Sequence, residues 1–152
     1  MTAISELPAA WISQFDGANL DAKLRAAAIL ATSDEEGWPH LAYLSAGEIL
    51  AHDTRRITLL LWSKSGSAAN LMRVGRGVLH AVADSAIWEA RLLSRPRAEV
   101  DEMALFDAQV IGVRRHAALY ADVMHLVGFR LHDPPATLDR WRRQIDRMRV
   151  AL

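Results

Sequence analysis

Ile57-Thr58-Leu59-Leu60-Leu61-Trp62-Ser63-Lys64-Ser65-Gly66-Ser67-Ala68-Ala69-Asn70-Leu71-Met72-Arg73 is the stretch on which the fold turns. Ile57 to Trp62 is apolar at nearly every position, as a strand covered on both faces must be. Ser63 to Ser67 then gathers three hydroxyls, one amine and one glycine into five residues. Ala68 to Arg73 follows with good helix formers. A strand that hands the chain through such a loop to a helix start builds an anion site, because the first turn has unpaired N–H groups and the positive end of the dipole. Gly66 allows close backbone approach, Ser67 is a candidate cap, and Lys64 supplies a full charge. The same residues also suit an ordinary capped turn with no ligand, since capping serines are common.

The flanking sequence reads as short strands. Ile29–Ser33 and Pro39–Ser45 form a hairpin across Asp34-Glu35-Glu36-Gly37, with glycine where a positive φ is needed. Glu48–His52 is a third strand and Ile57–Trp62 the fourth. Val74-Gly75-Arg76-Gly77 ends the short helix. Val78–Val82 is another strand, and Ala86–Ser94, extended to Val100, another. Glu102–Ala118 carries Met103, Leu105, Phe106, Val110 and Val113 and reads as a helix; Met124–His132 reads as the last strand. Connections of a few residues make a meander, not βαβ units. The predicted fold is mainly β: a small antiparallel barrel of six or seven strands with flanking helices.

Outside the barrel, residues 5–25 read as two helices, one starting at Pro8 and one capped by Asn19, both packed outside the main body. Asp133-Pro134-Pro135 precedes an amphipathic helix in which Leu138, Trp141, Ile145, Met148 and Leu152 recur at three- and four-residue steps. Its arginines read as a solvated face, with a structural or partner-binding role for this helix as a further reading. The division is one domain over 1–152: helices over 1–26, barrel over 27–132, helix over 133–152.

Composition narrows function. A chain of 152 residues buries a real core unaided. It has no cysteine, which excludes thiolate chemistry and disulfides. Eighteen basic residues balance eighteen acidic ones, which argues against nucleic acid as a partner. No stretch approaches a membrane span and the N-terminus is no signal peptide, so the expected location is cytoplasmic. The six histidines show no metal-ligand spacing, and His80 and His125 read as core residues. Trp62 and Trp88 read as core as well. Asp34-Glu35-Glu36 and Asp101-Glu102 read as solvated turn charges. No catalytic constellation is visible and no metal site is expected.

The runs ATSDEEGWPHLAYLSAGEIL and ITLLLWSKSGSAANLMRVGRGVLHAVAD resemble the pyridoxamine 5′-phosphate oxidase-like proteins, the FMN-binding split barrels. The opening hairpin matches at Thr32, Gly37, Pro39 and His40, followed by the serine loop and the short helix. The resemblance implies a homodimer with FMN at the subunit interface. It implies that the flavin phosphate lies near Ser63, Lys64, Ser65 and Ser67, and the ring near Tyr43, Leu44, Ser45, Leu61 and Trp62. The function it implies is an oxidoreductase of unknown substrate; a flavin-free ligand-binding or sensing homodimer is the alternative. Two features depart from the oxidase pattern. Ser65 is followed by Gly66-Ser67 where the oxidase has Arg-Lys, and His40 stands where it has arginine. With fewer cations the phosphate is held less tightly, unless Arg73, Arg76 or a partner arginine compensates. Arg130-Leu131-His132-Asp133 matches the oxidase's substrate motif in letters only, so a vitamin B6 substrate is not expected.

Overall fold

The computed structural model describes residues 4–150. Seven antiparallel strands form one sheet: β1 (Ala27–Ser33), β2 (Pro39–Ser45), β3 (Ile49–Ala51), β4 (Arg56–Trp62), β5 (Arg76–Ala83), β6 (Ala86–Val100) and β7 (Met103–His116). Their order is β2-β1-β5-β6-β7-β4-β3. The sheet curls into a half-barrel, with α1 (Ala9–Gln14), α2 (Gly66–Val74) and α3 (Pro134–Val150) packed on it. The split-barrel expectation holds, with seven strands.

Local chemistry fixes the hairpins. Gly37 turns β1 into β2 at φ +86°. Asp34 Oδ1 accepts from the N–H groups of Glu36 and Trp38, an Asx-type turn. Asp84-Ser85 and Asp101-Glu102 both carry positive φ at two successive residues, which matches the twist of the strands they join.

β4 is covered on both faces, as its sequence requires. Ile57, Leu59 and Leu61 enter the main core with Leu30, Leu79 and Phe106. Leu60 enters a second core under α3, with Leu105, Trp141, Ile145 and Met148. The stripe expected on α3 is therefore docked; Leu152 lies outside the described residues.

Four expectations are corrected. Met103–His116 is not a helix but β7, paired along β4 and β6. Its apolar residues satisfy both periods, but Phe106, Ala108 and Val110 alternate into the main core, and hydrogen bonds on both edges decide for the strand. Met124–His132 is irregular, so the barrel ends at His116, and His125 is exposed rather than a core residue. The second N-terminal helix shrinks to one 3-10 turn, Leu20–Ala22, with Asn19 at φ +51° and no side-chain cap. The first helix is not external. Trp11 and Phe15 are fully buried in the main core, their ring centroids 4.6 Å apart.

Candidate functional site

Trp62 ends β4, and the chain turns at once: Ser65 N–H donates to Trp62 O at 3.0 Å, and Ser63 N–H to Glu102 O at 2.8 Å. The cap of α2 is Ser65, not Ser67. Its Oγ accepts from Ala68 N at 3.1 Å, while Ala69 N donates to Ser65 O at 3.1 Å. The N–H groups of Gly66 and Ser67 remain without intrahelical partners, as first-turn amides must. Ser67 is 1% exposed, and its Oγ is buried without a partner among the described residues. A buried hydroxyl left unpaired costs free energy, so its presence beside unpaired amides fits a place for an acceptor.

His40, at the start of β2, lies against this turn. A Cβ on Gly66 would meet its Cε1 at 3.1 Å and its Nε2 at 3.3 Å, so glycine is what lets the imidazole approach. The sequence presents His40 as part of the opening hairpin and as the replacement of an arginine, but not as a neighbour of Gly66. The register Thr32↔His40 carries the ring to α2. The far end of α2 is pinned to β1. Asn70 Nδ2 donates to Thr32 Oγ1 at 2.9 Å, and Arg73 bonds Ser33 O and Asn70 Oδ1. Arg73 is thereby held at the C-terminal end of α2, away from its first turn. Arg76 lines a separate cleft of about 500 Å³ with Val78, Arg91 and Ile111.

The other expected contacts divide. Lys64 is 70% exposed, with Nζ 4.0 Å from Glu102 Oε1. Trp62 is exposed, against its reading as core, while Trp88 is buried and donates to Ala83 O. Leu44 and Leu61 point into the main core, so only their backbone is open to a ligand. Tyr43 is exposed and stands an odd number of residues from His40, on the opposite face of β2. Ser45 is committed to a turn: its Oγ donates to Glu48 Oε1 at 2.7 Å and its N–H to the same oxygen at 3.1 Å. Burial pushes the Glu48 carboxyl above its usual range, against those bonds and the charge of Arg140. The structure thus groups Ser63, Lys64, Ser65, Ser67 and His40 at one helix start and leaves Tyr43 exposed on the other face of β2 and Ser45 buried in the turn that follows it.

No group of three or more histidine, aspartate and glutamate side chains suited to a metal ion occurs among the described residues. No helix there is long and apolar enough to cross a membrane.

No protein-family model matches the chain. It is 33% identical over 135 residues to the uncharacterized protein YclD of Bacillus subtilis, covering 86% of this chain and 88% of that one. Among solved structures it resembles a candidate pyridoxamine 5′-phosphate oxidase from Lactobacillus delbrueckii, with a TM-score of 0.58, 16% identity, and coverage of 75% of this chain and 99% of that one. A candidate flavin reductase with a split-barrel domain from Shewanella frigidimarina gives a TM-score of 0.54 at 9% identity, covering 82% and 88%. An F420 reductase gives 0.53 at 10% identity, covering 71% and 98%. The chain belongs to the same family as YclD, and its fold is the split barrel of the pyridoxamine 5′-phosphate oxidase-like proteins.

Proposed function

We propose that the protein is an FMN-binding oxidoreductase that works as a homodimer in the cytoplasm, with the flavin phosphate at the first turn of α2. The observation that carries this is the unpaired donor set there: the Gly66 and Ser67 amides beside the buried, unpartnered Ser67 hydroxyl. Ser65 orients the turn by capping it, His40 and Lys64 supply the flanking nitrogen groups, and Gly66 keeps the approach open. Ser63 closes the loop by its bond to Glu102. The Leu44 and Leu61 backbones, with Tyr43, Ser45 and Trp62, are the residues assigned to the ring. When bound, the flavin supplies the hydride or electron chemistry, so the protein needs no acid or base of its own.

The test is a titration of FMN and of riboflavin, read by flavin fluorescence. FMN is expected to bind more tightly than riboflavin. Lys64→Ala should weaken FMN by roughly 1.5–3 kcal/mol, the range of a charge-assisted bond, and leave riboflavin unchanged. Equal affinity for the two flavins would overturn the phosphate assignment.

One observation favours a second reading, a flavin-free ligand-binding or sensing dimer: positive charge at the loop is thin. Lys64 lies near Glu102, and Arg73 is held elsewhere. A colourless protein that does not quench FMN would favour that reading.

A further inference from the structure

A second polar site lies at the other end of β4, where a cleft of about 890 Å³ opens between the start of β4 and the middle of β6 and β7. Four side chains from separate parts of the chain form a hydrogen-bonded network beside it, of which His52 and Asp107 line the cleft. Thr58, fully buried, donates from Oγ1 to Asp107 Oδ1 at 3.0 Å. The same oxygen accepts from Arg97 Nη2 at 3.0 Å and lies 2.7 Å from His52 Nε2. Arg97 Nε donates to Asp107 Oδ2 at 2.7 Å. An ionised carboxylate only accepts, so the one Thr58 proton goes to Asp107. His52 must then be the donor to Thr58, which fixes its ring proton on Nε2 and leaves a lone pair on Nδ1.

That lone pair finds no partner among the described residues, and Nδ1 is not sealed from solvent. His52 lines the cleft. At the rim, Arg55 pairs with Glu6 at 3.0 Å and Arg56 with Asp53 at 2.7 Å. Arg95, exposed at the same rim, makes no ion pair among the described residues. The cleft therefore offers an acceptor of fixed tautomer and a cation without an ion pair among the described residues.

We propose that this cleft binds a small oxyanion that still carries an O–H, such as a hydrogen phosphate: the O–H donates to His52 Nδ1 and Arg95 meets the charge. Burial, then the charges of Arg97 and Arg56, hold the His52 imidazole below its usual range against the opposing pull of Asp107 and Asp53. That keeps the ring neutral and its lone pair available. The site does not depend on flavin binding. It stands roughly 13 Å along β4 from the serine loop, the four residues from Thr58 to Trp62 at about 3.3 Å each.

The test reads the ring itself. The ¹⁵N resonances of His52 in the full chain are followed while inorganic phosphate, or sulfate, is added near neutral pH. Phosphate keeps an O–H and sulfate does not. Phosphate is expected to shift Nδ1 saturably, with sulfate about tenfold weaker or more. Arg95→Gln, at an exposed position that leaves folding intact, should weaken phosphate by about tenfold. Glycerol phosphate in a parallel titration distinguishes the free ion from a phosphate ester, and saturable binding of either supports the site. An unmoved His52, equal affinity for sulfate and phosphate, or an Arg95→Gln variant that binds unchanged would overturn it. None of these results bears on the flavin titration, so the two proposals fail separately.

Discussion

The imidazole of His40 lies against Gly66: a Cβ at Gly66 would come within 3.1 Å of His40 Cε1. The contact joins the first residues of β2 to the first turn of α2 and makes histidine, not arginine, the side chain over that turn. Gly66→Ala should push the ring aside at a stability cost under about 1 kcal/mol, because a half-exposed side chain can move. If His40 helps hold the ligand, FMN affinity falls in Gly66→Ala. The effect should then be smaller in a His40→Ala background, giving a coupling of about 0.5 kcal/mol or more in the double-mutant cycle.

A second glycine is fixed by α3. The Trp141 ring occupies the space a Gly47 Cβ would need, with Cδ1, Cγ and Cβ all in contact. Gly47→Ala must displace the main anchor of the second core. Overpacking of this kind costs about 1–3 kcal/mol, and urea denaturation should show it as a lower midpoint with unchanged slope.

Trp11 tests whether the N-terminal helix belongs to the barrel. It is fully buried against Phe15 in the main core. Trp11→Ala should destabilise the fold by about 3–5 kcal/mol. A helix resting outside the body would lose no more than about 0.5 kcal/mol in the same denaturation experiment.

His52 predicts a pH dependence. Its folded pKa lies below the ordinary value of about 6.5, so the unfolded chain binds the proton more readily. Its contribution is fully present above about pH 6.5 and is lost as pH falls from there through the folded pKa. Asp107 acts the same way in a lower window. Partial burial raises it, but bonds from Arg97 and Thr58 and the charge of Arg97 outweigh that, so its contribution is lost below the usual carboxylate range. Stability measured from pH 7 downward should fall in two stages, and His52→Gln should flatten the upper one.

Turn chemistry made much of the fold legible in the sequence. Gly37 and Gly75 mark their turns because few residues tolerate positive φ, and the β4–loop–α2 unit is local in sequence. The serine-rich start of α2 was legible for the same reason. Two features of that site were not. The cap is Ser65 in place of Ser67 because the helix begins two residues earlier, at Gly66. His40 reached the site only through strand pairing.

By itself, then, the sequence determined what neighbouring residues decide among themselves: the hairpins, the doubly buried β4, the capped α2 and the amphipathic α3. Tertiary structure alone decided that Met103–His116 is a strand, because its apolar pattern serves either period until β4 and β6 claim both edges. It alone sank Trp11 into the core and brought His52, Thr58, Arg97 and Asp107 within hydrogen-bond reach. Such meetings depend on register between distant strands, and no spacing along the chain encodes them.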